Sequence, residues 1–136
     1  MQIFDSTTHF LERGLGVSLH RQVVLNTNVA NVDTPGFTPR DVDFRTALAN
    51  ASEALSEANA PRATNPAHFG HGATDGIDSV PTYERPDTSA GLDGNRVDLD
   101  IQMGRLGQNA ILYQATTKAV NRKLAMLRYA VTEGMG

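Results

Sequence analysis

The last third of the chain sets the terms for everything else. From Leu99, alternating steps of four and three reach Met103, Leu106, Ala110, Tyr113, Thr117, Val120, Leu124, Leu127 and Val131, with Thr117 the one polar intruder. Apolar groups recurring near every 3.5 residues lie on one narrow stripe of an α-helix, and such a stripe wants a partner helix. A helix over 99–132 would be roughly 50 Å long at about 1.5 Å per residue. A rod of that length cannot bury its own stripe, so it needs another helix of the chain, or further copies.

The obvious partner is the other end. Asp5 and Ser6 suit the N-cap of a helix over 5–32. Leu11, Leu15, Leu19, Leu25 and Val29 fall on one face, with Val23 and Ala30 beside it. Ser18, Gln22 and Asn26 interrupt that face, and polar groups there must find partners or water. Gly14 and Gly16 each cost about 1 kcal/mol relative to Ala inside a helix. Either the helix starts late or frays, or a neighbouring backbone packs close to them. Pro35 disfavours helical geometry at Thr34, and Thr34-Pro35-Gly36-Phe37 fits a type II turn. Asn31 and Asp33 suit the helix end and the loop behind it. Beyond the turn, Pro39 keeps Thr38 extended, and Asp41-Val42-Asp43-Phe44 alternates so that Val42 and Phe44 share one side.

The middle of the chain reads differently. Thr46 to Ala60 is Ala-rich and could form a short helix, weakened by Asn50 and Ser52. Pro61 to Asn95 holds four prolines, five glycines and few apolar residues. A segment of that composition cannot offset its own ordering entropy, so it is disordered alone or ordered by neighbours. Charge follows the same division. Asp41 to Asp100 carries eleven acids and four bases, and the two ends together carry eight bases and four acids. An acidic middle between basic-leaning ends points to different surroundings for each.

Several chemistries are set aside. Without cysteine, neither a disulfide framework nor a thiolate metal site is possible. A net charge of -3 speaks against general nucleic-acid binding. No run is long and apolar enough to span a bilayer, and the start lacks the pattern of a cleavable secretory signal. His68 and His71, with Asp75 nearby, are the one tempting metal pair, but Gly70 and Gly72 oppose the helix that would align them. Surface loop histidines are the simpler reading. Asp75 and Asp78 lack EF-hand spacing. No catalytic, cofactor-binding or metal site is expected, and no cofactor. In the last helix, Asp98 is a good N-cap and Asp100 sits well near the positive helix end. Lys118, Arg122, Lys123 and Arg128 lie toward the negative end. They are either a solvated face or partners for acids of neighbouring subunits. Gly104 and Gly107 ask for the close approach of another helix.

Two runs carry a family resemblance. Asn28-Val29-Ala30-Asn31-Val32-Asp33-Thr34-Pro35-Gly36-Phe37 resembles the N-terminal signature of bacterial flagellar axial proteins of the rod and hook group. Arg40-Asp41-Val42-Asp43-Phe44, and Asp93-Gly94-Asn95-Arg96-Val97-Asp98-Leu99-Asp100 before the heptad helix, are similar to the proximal-rod members, as is the length. Thr64-Asn65-Pro66-Ala67-His68 adds a weaker likeness. The resemblance implies a non-enzymatic subunit of the proximal rod of the flagellar basal body, assembled helically into a hollow, torque-transmitting shaft. It implies paired terminal helices, export through the flagellar type III apparatus without a cleavable signal, and location in the periplasm-spanning rod. The implied partners are copies of itself, other rod proteins, the rod-to-membrane-ring adaptor and the membrane-ring protein.

The expected fold is therefore all-α and a single domain, 1–136. Long N- and C-terminal helices, 5–32 and 99–132, pack as an antiparallel coiled-coil-like pair. A turn, an extended arm and a largely irregular loop, with room for one short helix or hairpin, join them over 33–98. Subunit packing is expected from Leu11, Leu15, Leu19, Leu25 and Val29, from Asn28, Asn31, Thr34, Pro35, Gly36 and Phe37 at the junction, and from Leu99, Met103, Leu106, Tyr113, Val120, Leu124, Leu127 and Val131. A soluble helical adaptor or export chaperone of a secretion apparatus is the rival function.

Overall fold

The computed structural model describes residues 6–49 and 80–133. The expectations for Asp5 as a cap, for a helix running on to Ala60, and for His68, His71 and Asp75 lie outside the described residues.

Helix α1 runs Ser6–Ala30, unbroken through Gly14 and Gly16, and ends where the sequence says it must. Asn31 N–H still bonds back to Thr27 and Asn28, and the last turn tightens through Val32 N–H to Val29 O. Gly36 then takes φ 72°, and Phe37 N–H closes the turn on Thr34 O at 3.3 Å. A left-handed third position is what a type II turn requires, and only glycine reaches it without strain.

Strand β1, Arg40–Val42, follows. Its antiparallel partner is β2, Thr82–Glu84, with Asp41 opposite Tyr83. Asp43 N–H to Pro81 O and Arg85 N–H to Pro39 O extend the ribbon at both ends. Residues 44–49, here α2, are helical and capped by Asp43, whose carboxylate accepts from Thr46 N–H and the Thr46 hydroxyl. The ribbon and α2 pack on one side of α1. There Val17, Val42, Ala47 and Val80 form a small buried cluster, with Val24 and Phe44 against it. Val42 and Phe44 do share a side, as their spacing predicts.

Helix α3, Leu99–Glu133, lies along α1. Asp98 caps it by accepting from the Asp100 and Ile101 amides. The two helices run antiparallel: Asn28 meets Gln102, Ser18 and Gln22 meet Asn109, and Gly14 meets Thr116. The long terminal helices are thus present. The described part of the joining segment contains the short ribbon, at the arm whose alternation reads as strand-like. Strand β2 is three residues between Pro81 and Pro86, too short to show a period of two.

Candidate assembly surface

Three polar assemblies hold the described residues together. The first is a clasp between the two signature runs. The Asn95 side-chain amide nitrogen sits among three carbonyls at the end of α1, those of Asn31, Val32 and Thr34, at 3.1, 2.7 and 2.8 Å. Its own oxygen accepts from Val97 N–H. Gly36 N–H bonds Asp93 O, and Arg96 N–H bonds Phe37 O. Gly94, at φ 78°, lies so close that a Cβ there would meet the Gly36 Cα at 3.4 Å. One side chain thus satisfies carbonyls that the helix end leaves open.

The second is built on Asp41, whose side chain is buried. Arg21 donates to both its oxygens, from Nε at 2.7 Å and Nη2 at 2.8 Å, and Arg85 adds a bond at 2.8 Å. The Val42 amide donates as well. Burial pushes the carboxyl pKa up, but the bonds from Arg21, Val42 and Arg85 and the charge of Arg21 outweigh it, so the group lies below the ordinary carboxylate range. Arg21 is raised, first by that hydrogen bond and against its own burial. A forked guanidinium on a carboxylate fixes both distance and angle, so β1 is oriented on α1.

The third is the seam between α1 and α3. Gln102 bridges it: its oxygen accepts from Asn28, and its amide donates to Asp87 at 2.7 Å. Asn28 also exchanges bonds with both backbone groups of Arg40, as a strand neighbour would. Asp87 meets Arg105 at 2.6 Å. Further along, Asn109 donates to Ser18 O and to the Gln22 side chain. Ser18 turns its hydroxyl back to Gly14 O. The interruptions seen on the α1 face at Ser18 and Gln22 have therefore found partners, and the partners are amides.

That outcome relocates the heptad stripe. Gln102, Arg105 and Asn109 sit one residue before Met103, Leu106 and Ala110, so the row facing α1 in this half is polar. The apolar row is rotated outward. Leu99, Met103, Tyr113, Leu124 and Val131 are exposed, Met103 at 55% and Tyr113 at 41%. Leu106, Thr117, Val120 and Leu127 are half-buried. Thr117 satisfies itself by bonding Tyr113 O, which leaves its methyl for the stripe. On α1, Leu19 is exposed and Leu11, Leu15 and Val29 are half-buried. Leu25 and Asn28 are consumed inside the chain at 0% and 1% exposure, so neither is left for a neighbour. At the junction Thr34, Pro35 and Gly36 are exposed, while Asn31 and Phe37 are half-buried. Gly104 and Gly107 face open space, and no described helix comes within 4 Å of a Cβ built there. Gly14 is buried against Thr116, at 3.8 Å from an added Cβ, which is ordinary contact.

Sequence reading missed Gln102, Asn109, Asp87, Arg105, Asn95, Arg21 and Arg85. A signal existed for two of them. Gln102 and Asn109 are seven apart on a helix, opposite an α1 face already marked by Ser18 and Gln22. Among the described residues no group of three or more His, Asp or Glu side chains gathers as a metal site. No described helix is long and apolar enough to cross a membrane.

No family model matches the chain. Individual relatives do. A flagellar basal body rod protein FlgB of Bacillus subtilis (strain 168) is 34% identical over 134 residues, covering 98% of this chain and 99% of that one. The chain belongs to the FlgB family of flagellar basal body rod proteins. FlgB proteins of Proteus mirabilis (strain HI4320) and Escherichia coli (strain K12) are each 29% identical over 133 residues, with 96% of both chains covered. FlgB relatives thus align from end to end with both signature runs and the heptad helix, and membership makes the chain a structural component of the proximal rod.

Proposed function

We propose that this chain assembles helically, with copies of itself and with other rod proteins, into the hollow shaft that carries torque away from the membrane ring. The observation that carries the reading is the outward apolar row of α3. The described residues bury five small or medium apolar side chains, yet leave Leu99, Met103, Tyr113, Leu124 and Val131 exposed to solvent. Contiguous apolar patches of that kind mark interaction surfaces. In the lattice those rows, with Leu11, Leu15 and Leu19 of α1, form the coiled-coil-like contacts between subunits. Gly104 and Gly107, open in the chain, let a neighbouring helix come close. The adaptor at the membrane ring and the ring protein are the neighbours at one end.

The work asked of the protein is mechanical, with no catalysis. Side-by-side helix contacts resist shear because each buried apolar side chain would be re-exposed by sliding, at about 1.5–3 kcal/mol apiece. Basal bodies imaged from cells with and without the gene test the proposal. Rods should be missing and motility lost without it, and both should return on complementation. Rods that persist in its absence would end this reading.

A further inference from the structure

Three columns of α3 repeat at seven-residue steps, and they differ in chemistry. Gln102, Asn109, Thr116 and Lys123 form a polar column. Met103, Ala110, Thr117, Leu124 and Val131 form the column one residue on, about 100° round the helix. Leu99, Leu106, Tyr113, Val120 and Leu127 run between them. A partner helix thus has two flanks to choose from, roughly 50° apart: the polar column with the middle one, or the middle column with the outer one. The second flank is apolar at nearly every position, and burial alone would favour it. The structure takes the first. Gln102 and Asn109 are buried against α1 at 0% and 1% exposure, and Thr116, Lys123, Leu106, Val120 and Leu127 are half-buried. Met103, Ala110, Leu124 and Val131 are exposed.

The polar flank wins because its partners are fixed on that side. Gln102 accepts from Asn28, and Asn109 donates to Ser18 O and to the Gln22 side chain. Gln102 also donates to Asp87, and Arg105 pairs with the same carboxylate at 2.6 Å. Those two charged side chains are 0% and 11% exposed, so the pair is shielded from water. Turning α3 by about 50° would pull these groups apart and leave buried donors and acceptors unpaired. We infer that Gln102, Arg105 and Asn109 select the face of α3 that meets α1, and that without them the helix turns its Leu106–Met103 flank inward. Polar groups in one column of a helix seam set register at a cost in stability, and here the quantity they set is rotation. Selection of this kind acts within one chain, whether or not copies assemble. It decides which apolar column α3 turns away from α1.

Gly14 reports the face. A Cβ built there lies 3.8 Å from the Thr116 methyl, so a disulfide between G14C and T116C fits the seam, and one between G14C and T117C requires the turned helix. The chain lacks cysteine, so no other thiol competes. Full-length G14C/T116C and G14C/T117C chains are oxidised at high dilution. Bridged monomer is then measured by electrophoresis without reductant and confirmed by peptide mass. In the otherwise unaltered chain the 116 bridge should exceed the 117 bridge at least tenfold. Adding Q102A, R105A and N109A together should reverse that preference. Q22L with N109A removes both members of one amide pair and strands neither, so it should shift the ratio the same way. It decides the matter if the triple variant loses its helical circular dichroism. A ratio that stays put in folded Q22L/N109A and in the folded triple variant would overturn the selection and give the choice of face to the rest of the seam. Equal 116 and 117 bridging in the unaltered chain would overturn it as well, and so would absence of the 116 bridge there. Rods that persist without the gene would end the assembly reading and leave this bridge pattern as expected.

Discussion

Asp41 shows how a single carboxylate ties three segments together and sets a pH limit. Arg21 of α1 and Arg85 beyond β2 both end on it. Its folded pKa is lowered, so the folded chain binds the proton less readily than the unfolded chain. The stabilisation is complete above the ordinary carboxylate value of about 4 and fades as pH falls through the lowered one. Thermal unfolding followed by circular dichroism should be flat near neutrality in this respect and should decline below about pH 4. Asp41→Asn should cost about 3 kcal/mol at pH 7, because Arg21 is left half-buried without its counter-charge, and should lose that part of the acid slope. Asn95 is the second such residue. Asn95→Ala strands three carbonyls at the end of α1 and should cost about 2 kcal/mol in urea unfolding. A value under about 0.5 kcal/mol would mean water replaces the amide freely.

At the scale of elements, the question is what holds α1 on α3. The described seam is fastened by amides where a heptad helix suggests leucines. Amide pairs give little net stability but penalise misalignment, because a slipped register leaves buried donors and acceptors unpaired. Gln102 is the pivotal bridge, since Asn28 and Asp87 both lean on it. Gln102→Leu should destabilise the chain by about 2 kcal/mol despite added apolar area, and hydrogen exchange should show early opening of the Asn28–Arg40 contact. Unchanged exchange there would mean that α1 and β1 hold each other without α3. The Asn109 oxygen has no hydrogen-bond partner among the described residues, so this second bridge is only half satisfied there and contributes less.

For the whole molecule, apolar surface divides between two uses. Leu25 and the Val17–Val42–Ala47–Val80 cluster are buried within the chain, and much of the α3 row stays exposed, which the proposed assembly would cover. Two substitutions separate them. Leu25→Ala should cost about 3 kcal/mol of chain stability through the cavity it leaves. Met103→Asp should change stability by less than about 0.5 kcal/mol, as surface changes generally do, and yet abolish motility. Swimming at the normal rate with Met103→Asp would show that this part of the row meets no neighbour.

Much of this protein was legible in order along the chain. Pro35 and Gly36 dictate where α1 stops and how it turns, because their backbone preferences act within four residues. Asp98 and the 3.5-residue repeat dictate where α3 begins and that it is long. Two signature runs sufficed to suggest the family. What the chain order could not reveal is which side of each helix faces inward. Heptad spacing marks an apolar stripe but says nothing of whether the stripe meets its own chain or another. That choice depended on Gln102 and Asn109 finding amide partners from 74 to 91 positions away. The Asn95 clasp and the Arg21–Asp41–Arg85 junction likewise join residues separated by many others. Pairings over such distances arise only when the whole chain has closed, since hydrogen bonding rewards the final geometry and leaves no periodic trace in the sequence.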